Sequence, residues 1–534
     1  MKGLAGMRAA KSALRIDAAV DDRVRLLKSK WISAFAEMTS LPRRHSFPRW
    51  NSLIVAGLMG GCALGPDYRR PEVALTPLYM HATAVLPGAA KVTELDRWWQ
   101  GFDDAALLRV VERAQAQNLD LERARARVLQ SRAAARAAGA ALLPKLDAAA
   151  SANDVRQSLL SPIGEIGREL PGFARNYDDY AVGAAASWEI DLFGGLRRGR
   201  EAAVAEAKAS DAQALGVQIS VAADAADAYL QVRAYQARLG VALHQEQVQR
   251  DLVDLVSRRE QEGVSSKREL NQVTAALDGV RASIPPLQAG LDAQLNRLDV
   301  LMGAQPGTYR NELLIDAPIP SPPALASHDG PAELLRRRPD VLAAEQRLIA
   351  ANARIGAAIS DYYPKVSLSA LFGVDGLAAG RLSSGDAVQH DIGLGLRWRL
   401  FDFGRVDAEV AQARGREAEA LAAYRATVLR ATEEVENAFS ELVQNEARAA
   451  ALQRQITELG TARTLAQQSY DAGVINLIEV RDTDRDLLAA SDQLAQTRAA
   501  AARAAVASFR ALGGGWQPQA GPIAAAQSTP VPAG

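Results

Sequence analysis

Between Leu196 and Glu260 the chain has no proline, and its apolar and polar positions never settle into a simple alternation. Ala, Arg, Glu, Gln and Leu dominate there, and all are strong helix formers. The stretch predicts one unbroken helix that at 1.5 Å per residue reaches about 100 Å. A twin runs from Arg405 to Asp471, and a shorter helix follows each, near Ser266–Met302 and Asn476–Leu512. Helices this long persist only by packing along their length, and their alanines permit close approach.

Ahead of each long helix the period changes to two. In Tyr180–Leu192 the positions Tyr180, Val182, Ala184, Ala186, Trp188, Ile190 and Leu192 share one face, opposite Gly183, Ser187, Glu189 and Asp191. In Asp391–Leu400, Ile392, Leu394, Leu396, Trp398 and Leu400 alternate with Asp391, Gly393, Gly395, Arg397 and Arg399. Val366, Leu368, Ala370, Phe372 and Val374 form a third apolar face, and the segment after Pro144 a weaker fourth. Such alternation fits a soluble half-buried sheet or a membrane-barrel strand.

These patterns belong to an internal repeat. Trp188, Phe193 and Gly194 recur at an offset of 210 as Trp398, Phe403 and Gly404, and the offset also pairs Gly263-Val264 with Gly473-Val474. Upstream it becomes 220, pairing Asp120 with Asp340, Arg127 with Arg347 and Pro144-Lys145 with Pro364-Lys365. The extra residues therefore lie in a loop between Pro-Lys and Trp of the first copy. Each copy reads helix, strand, strand, long helix, turn, helix, and the Pro-rich run Ala317–Pro323 joins the two. Four strands leave two open edges, which hydrocarbon does not tolerate, and membrane barrels need about eight strands. In a membrane, then, one chain cannot close a barrel. Three copies would supply twelve strands, with the long helices extending as a tube.

Composition narrows the classes further. The 534 residues carry 62 Lys+Arg against 62 Asp+Glu, which leaves no electrostatic footprint for nucleic acid. Aromatic residues are only 5% of the chain, arguing against a large aromatic-filled core. The five histidines, His45, His81, His244, His328 and His390, show no metal-ligand spacing, and no nucleophile elbow or phosphate loop is present. No enzyme, metal or cofactor is expected. Gly513-Gly514-Gly515 closes a helix and reads as a cap.

The single cysteine, Cys62, excludes an intrachain disulfide. It follows the basic run Arg43–Arg49, an apolar Leu53–Met59 and Gly60-Gly61. These are the parts of a secretory signal, with small residues before a cysteine as in a bacterial lipoprotein box. Cys62 is the expected lipidation site. Residues 1–37 resemble no signal, and Met38 is an alternative start.

The run Cys62-Ala63-Leu64-Gly65-Pro66-Asp67-Tyr68-Arg69-Arg70-Pro71 resembles the mature start of outer-membrane efflux lipoproteins. Arg337-Arg338-Pro339-Asp340-Val341, Tyr470-Asp471-Ala472-Gly473-Val474 and Ala511–Trp516 are similar to further motifs of the TolC-like outer-membrane factors, NodT subgroup. The resemblance spans Cys62 to about Trp516. It implies a mixed α and β fold: a tandem repeat of strand hairpin and very long helices that on trimerisation forms a 12-stranded β-barrel continuous with a 12-helix periplasmic α-barrel.

The expected division is 1–61 extension and signal, 62–102 arm and collar, and 103–303 first repeat. Then follow 304–330 linker and collar, 331–513 second repeat, and 514–534 flexible tail. The resemblance implies a homotrimer in the outer-membrane lipid, docked to a periplasmic membrane-fusion adaptor and an inner-membrane resistance-nodulation-division pump. It places adaptor docking at the helix tips (Gly263, Val264, Gly473, Val474) and a channel gate at Ile478, Asp482 and Arg485. Arg481 and Asp484 depart from the family pattern, and a solvated helix face with routine i,i+3 pairing is the alternative reading of that cluster. A periplasmic adaptor or structural coiled-coil lipoprotein without a pore is the alternative to a channel.

Overall fold

The computed structural model describes residues 63–81, 94–324 and 331–517. The main elements in chain order are α1 (Ala105–Gln117), α2 (Leu119–Ala140), β1 (Lys145–Arg156), α3 (Pro162–Arg168), β2 (Asn176–Ile190), α4 (Gly195–Gln261) and α5 (Lys267–Leu301). The second half supplies α6 (Pro339–Ser360), β3 (Lys365–Gly376), β4 (Val388–Arg397), α7 (Arg405–Asp471) and α8 (Leu477–Ala511). Both long helices have 67 residues, about 100 Å.

The repeat is visible in hydrogen bonds as well as in sequence. The Trp188 indole donates to the Leu142 carbonyl at 2.9 Å, and Trp398 donates to Tyr362 at the same distance. The opening helix of each repeat is broken, which periodicity did not reveal. At the first break the Asn118 side chain accepts from the Asp120 and Leu121 amides and donates to the Leu301 carbonyl. At the equivalent place Arg338 precedes Pro339, and its guanidinium reaches the Ala511 carbonyl at 3.1 Å. Each break thus meets the last turn of its own repeat. The extra residues of the first copy lie between β1 and β2, where α3 stands.

The largest core sits half-way down the long helices. Trp98 stacks on Phe509 with centroids 5.5 Å apart and meets Trp99 and Phe102 edge-on. Tyr229, Tyr424 and Phe439 are buried in the same cluster. Low aromatic content thus misleads: the few rings are concentrated where an arm, a linker and a C-terminal segment converge on the alanine-rich helices. Beyond Leu512 the chain stays packed, with the Gly515 amide donating to Leu95 and the Trp516 indole to Arg337.

A groove of about 1020 Å³ runs over α2, α4, α6 and α7, lined by Arg127, Glu206, Asp340, Arg347, Arg354 and Glu419 among others. Residues 63–81 run along the other side. Their anchor on α6 is Glu345, about 200° around that helix from Arg347.

Candidate functional site

Three features carry chemistry: the sheet, the N-terminal arm and the two helix tips. The sheet is antiparallel in the order β1-β2-β3-β4. Its register sets Leu146 beside Ala186, Trp188 beside Leu368 and Leu368 beside Leu394. Because side chains alternate faces strictly, one face collects Leu146, Ala148, Ala150, Val182, Trp188, Leu368, Phe372, Ile392, Leu394 and Leu396. The opposite face collects Asp147, Ser151, Gly183, Glu189, Ser367, Ser369, Asp391 and Arg397. The four alternations are therefore in phase, which no single strand could reveal. Ile392, Leu394 and Leu396 stay largely exposed, so the apolar side has no cover from its own chain. β1 and β4 leave open edges. β4 stops at Arg397, short of the expected Leu400, because β3 starts at Lys365 and supplies no partner further on. Among the described residues no helix is long and apolar enough to cross a membrane, and no group of side chains could hold a metal ion.

Cys62 lies outside the described residues, but its neighbour does not. Ala63 presses on Gly194, where a Cβ would stand 2.7 Å from the Ala63 Cα. The Leu64 amide donates to the Phe193 carbonyl at 3.3 Å. Residue 63 therefore sits where β2 passes into α4, at the rim of the sheet. From there the arm follows the helices toward the core. Asp67 pairs with Arg198 at 2.7 Å, and Arg70 grips Glu345 with contacts of 2.8 and 2.5 Å. The Tyr68 hydroxyl donates to the same carboxylate, and burial together with Glu345 pushes that phenol above its usual range. Further on, Tyr79 packs edge-on against Phe439, and the Met80 amide donates to Glu436. Sequence flagged the arm only as a motif; a run rich in charge and proline gave no sign of which helix carboxylates it would meet.

The tips are built alike. At the end of α4 the Gly263 amide donates to Glu260 and the Val264 amide to Arg259. At the end of α7 Gly473 donates to Tyr470 and Val474 to Ser469. This paired closure needs a left-handed residue, and Gly263 and Gly473 supply it with φ of 74° and 75°. Ser266 then caps α5 and Asn476 caps α8. Val264 and Val474 project into solvent, 73% and 76% exposed. Within the chain the two tips touch: Leu252, Val256 and Val273 pack with Leu477, and Arg259 lies 4.9 Å over the Tyr470 ring.

The expected gate residues lie in the first three turns of α8. Asp482 and Arg485 approach to 3.5 Å as an i,i+3 pair, both more than half exposed, and Arg485 also meets Asp486 at 3.4 Å. Ile478 is 44% exposed. Asp484, in contrast, turns inward and pairs with Arg463 of α7 at 3.1 Å. Its counterpart pair in the first hairpin is Thr274 and Val253, so only one hairpin carries this charged clasp.

The outer membrane efflux protein family matches residues 110–304 and 330–514, one match on each repeat. The chain belongs to that family. The pyoverdine export outer membrane protein OpmQ of Pseudomonas aeruginosa is 30% identical over 464 residues, 86% of this chain and 95% of OpmQ. Outer membrane protein OprJ of the same species is 30% identical over 473 residues, covering 87% and 95%. The outer-membrane channel OprN superposes with a TM-score of 0.78 at 34% identity, over 86% of this chain and all of OprN. The CmeC outer membrane channel of Campylobacter jejuni, 22% identical, shares the fold with a TM-score of 0.77 over 86% of this chain and 96% of CmeC. As an outer membrane efflux protein, the chain places its sheet in the membrane and its long helices in the periplasm.

Proposed function

We propose that three copies of this chain form a passive conduit through the outer membrane and periplasm for small toxic or exported compounds. The observation that carries this reading is the four-stranded sheet: one face with a continuous apolar band from Leu146 to Leu396, both edges open, and β2 and β4 each leading into a helix about 100 Å long. Open edges in hydrocarbon must be paired, and three such sheets make a barrel of twelve strands. The charged groove, on the opposite side from the arm, then lines the lumen. A pore-less adaptor has no use for an apolar sheet face duplicated in register.

Partners follow from position. The two tips, each offering an exposed valine on a rigid glycine turn, suit a periplasmic membrane-fusion adaptor that bridges to an inner-membrane resistance-nodulation-division pump. Ile478, Asp482 and Arg485 form the gate in this reading, since they point away from their own helix partners and are free to meet neighbouring copies at the axis. An exposed charge pair contributes below about 1 kcal/mol, so closure depends on threefold repetition and the apolar ring. Lipidation of Cys62 suits the arm, because Ala63 is held at the rim of the sheet and an acyl chain there reaches the membrane directly.

The test is reconstitution of the purified protein in planar bilayers. The conduit reading expects discrete single-channel currents from a heat-modifiable trimer. A soluble, non-conducting protein after loss of Cys62 would instead support the pore-less alternative.

A further inference from the structure

We infer that two ion pairs, Arg123–Glu419 and Asp147–Arg399, join neighbouring copies across a seam that repeats the one between the two halves of one chain, at places where the internal seam has Ala343 with Ala209 and Ser367 with Glu189 and so carries no ion pair. The inference rests on the trimeric reading and goes beyond it to register and residue.

Inside the chain, the first repeat meets the second through α4 on α6 and β2 on β3. Ala202 and Ala205 pack with Ala350 and Ala353, and Ala209 and Ala212 with Ala343. Phe193 stacks on Tyr363 at 4.7 Å, and Trp188 lies opposite Leu368. Carried by the repeat offsets, the same contacts join α7 and β4 of one copy to α2 and β1 of the next. Those surfaces are the ones left bare. α6 buries 12 residues, whereas its twin α2 buries two, Leu121 and Ala124; α4 buries 22, whereas its twin α7 buries 11. Leu129, Leu143, Phe401 and Phe403 are all largely exposed, Phe403 fully so.

The transposed register closes the barrel without breaking its pattern. Leu396 falls opposite Ala150 of the partner subunit, Trp398 opposite Ala148 of the partner subunit, and Leu400 opposite Leu146 of the partner subunit. The apolar face continues across the seam, and β4 gains the three positions that its own chain leaves unpaired. Phe403 comes to Leu143 of the partner subunit.

Charge then supplies an independent check. The Ala343 and Ala209 positions of the internal seam become Arg123 and Glu419, and those of Ser367 and Glu189 become Asp147 and Arg399. In both cases the two members acquire opposite signs. Within the chain Arg123 meets Asp120 and Asp147 meets Lys145, both exposed neighbours in sequence, while Arg399, itself 43% exposed, meets Glu409 at 3.1 Å and Asp361 at 3.9 Å. Two α2 surfaces meeting each other would instead oppose Arg123 and Arg127 to their own copies. The charges thus favour second repeat against first over two first repeats, and second against first is the head-to-tail order that a closed ring requires.

Two variants in the full-length protein test this. Facing residues in a strand pair have Cα atoms about 4.5–5.5 Å apart, within disulfide reach. Asp147→Cys with Arg399→Cys should therefore give oxidised trimers that survive boiling in detergent, and Asp147→Cys with Arg397→Cys, two residues out of register, far fewer. Glu419→Arg should lower the yield of heat-modifiable trimer by about tenfold, and adding Arg123→Glu should restore it. Stronger cross-linking at the shifted pair, or a double charge swap no better than the single, overturns the register. A wild-type protein that never forms a heat-modifiable oligomer overturns the trimeric reading itself, so the two failures are distinct.

Discussion

The clasp of the arm on α6 makes a quantitative prediction because its partners are unequally buried. The Glu345 side chain is 10% exposed and Arg70 is 49% exposed. Arg70→Ala strands a buried carboxylate with only the Tyr68 hydroxyl for company. Removing one partner of a fully buried pair costs about 3–5 kcal/mol, and water reaching Arg70 reduces that toward about 2 kcal/mol. At 1.4 kcal/mol per factor of ten, local opening of the arm should rise about thirtyfold. Glu345→Leu fills the same space without charge, frees Arg70 to face water, and should cost under about 1 kcal/mol. The double variant Arg70→Ala, Glu345→Leu should then be closed more tightly than Arg70→Ala alone. Amide exchange across residues 68–81 in the detergent-solubilised protein measures each opening. Equal exchange in the single Arg70 variant and the double would show that the buried charge is not what the arm answers to.

Other expectations follow from the same structure. Gly473→Val forces a β-branched residue into left-handed backbone at a cost of about 1–2 kcal/mol, so adaptor capture by the purified protein should weaken while the melting temperature of the body barely moves; Gly473→Asn should be milder. Asp482→Ala combined with Arg485→Ala should raise single-channel conductance in planar bilayers, and unchanged conductance removes these residues from the gate. Cys62→Ser should abolish acylation by mass spectrometry yet leave the protein in the outer-membrane fraction, since the barrel holds it there. Burial disfavours the charged form of Glu312, but Arg113 and Arg109 outweigh it and hold this carboxyl below its ordinary range. A depressed carboxyl stabilises the fold fully above the ordinary glutamate range and loses that contribution as pH falls through the depressed value. The melting-temperature gap between wild type and Glu312→Gln should accordingly be widest near neutrality and close in acid.

Sequence reached the long-range architecture of this chain more readily than its details, for physical reasons. The 67-residue helices were legible because neither proline nor a glycine cluster interrupts their helix formers, and the strands because half of each faces lipid. The tandem repeat was legible since equivalent positions meet equivalent surroundings. What escaped was whatever depends on partners distant in sequence. Asn118 and Arg338 break helices through carbonyls nearly two hundred residues away, and Glu345 looks like any helix glutamate until Arg70 is folded onto it. Asp484 stood out only as a departure from pattern, and its inward pairing with Arg463 needed the neighbouring helix. The aromatic core was hidden because composition counts rings without saying where they gather.

The duplication has a kinetic meaning. A gene encoding a single repeat specifies a ring of six, each member offering one edge and accepting another. Fusing two members turns every second seam into a folding event within one molecule, formed at an effective concentration no dilute periplasm can match. Three chains then need two encounters to close where six would need five. Fewer half-built rings wait with bare apolar strands exposed, at the stage when an envelope protein is most open to aggregation and proteolysis.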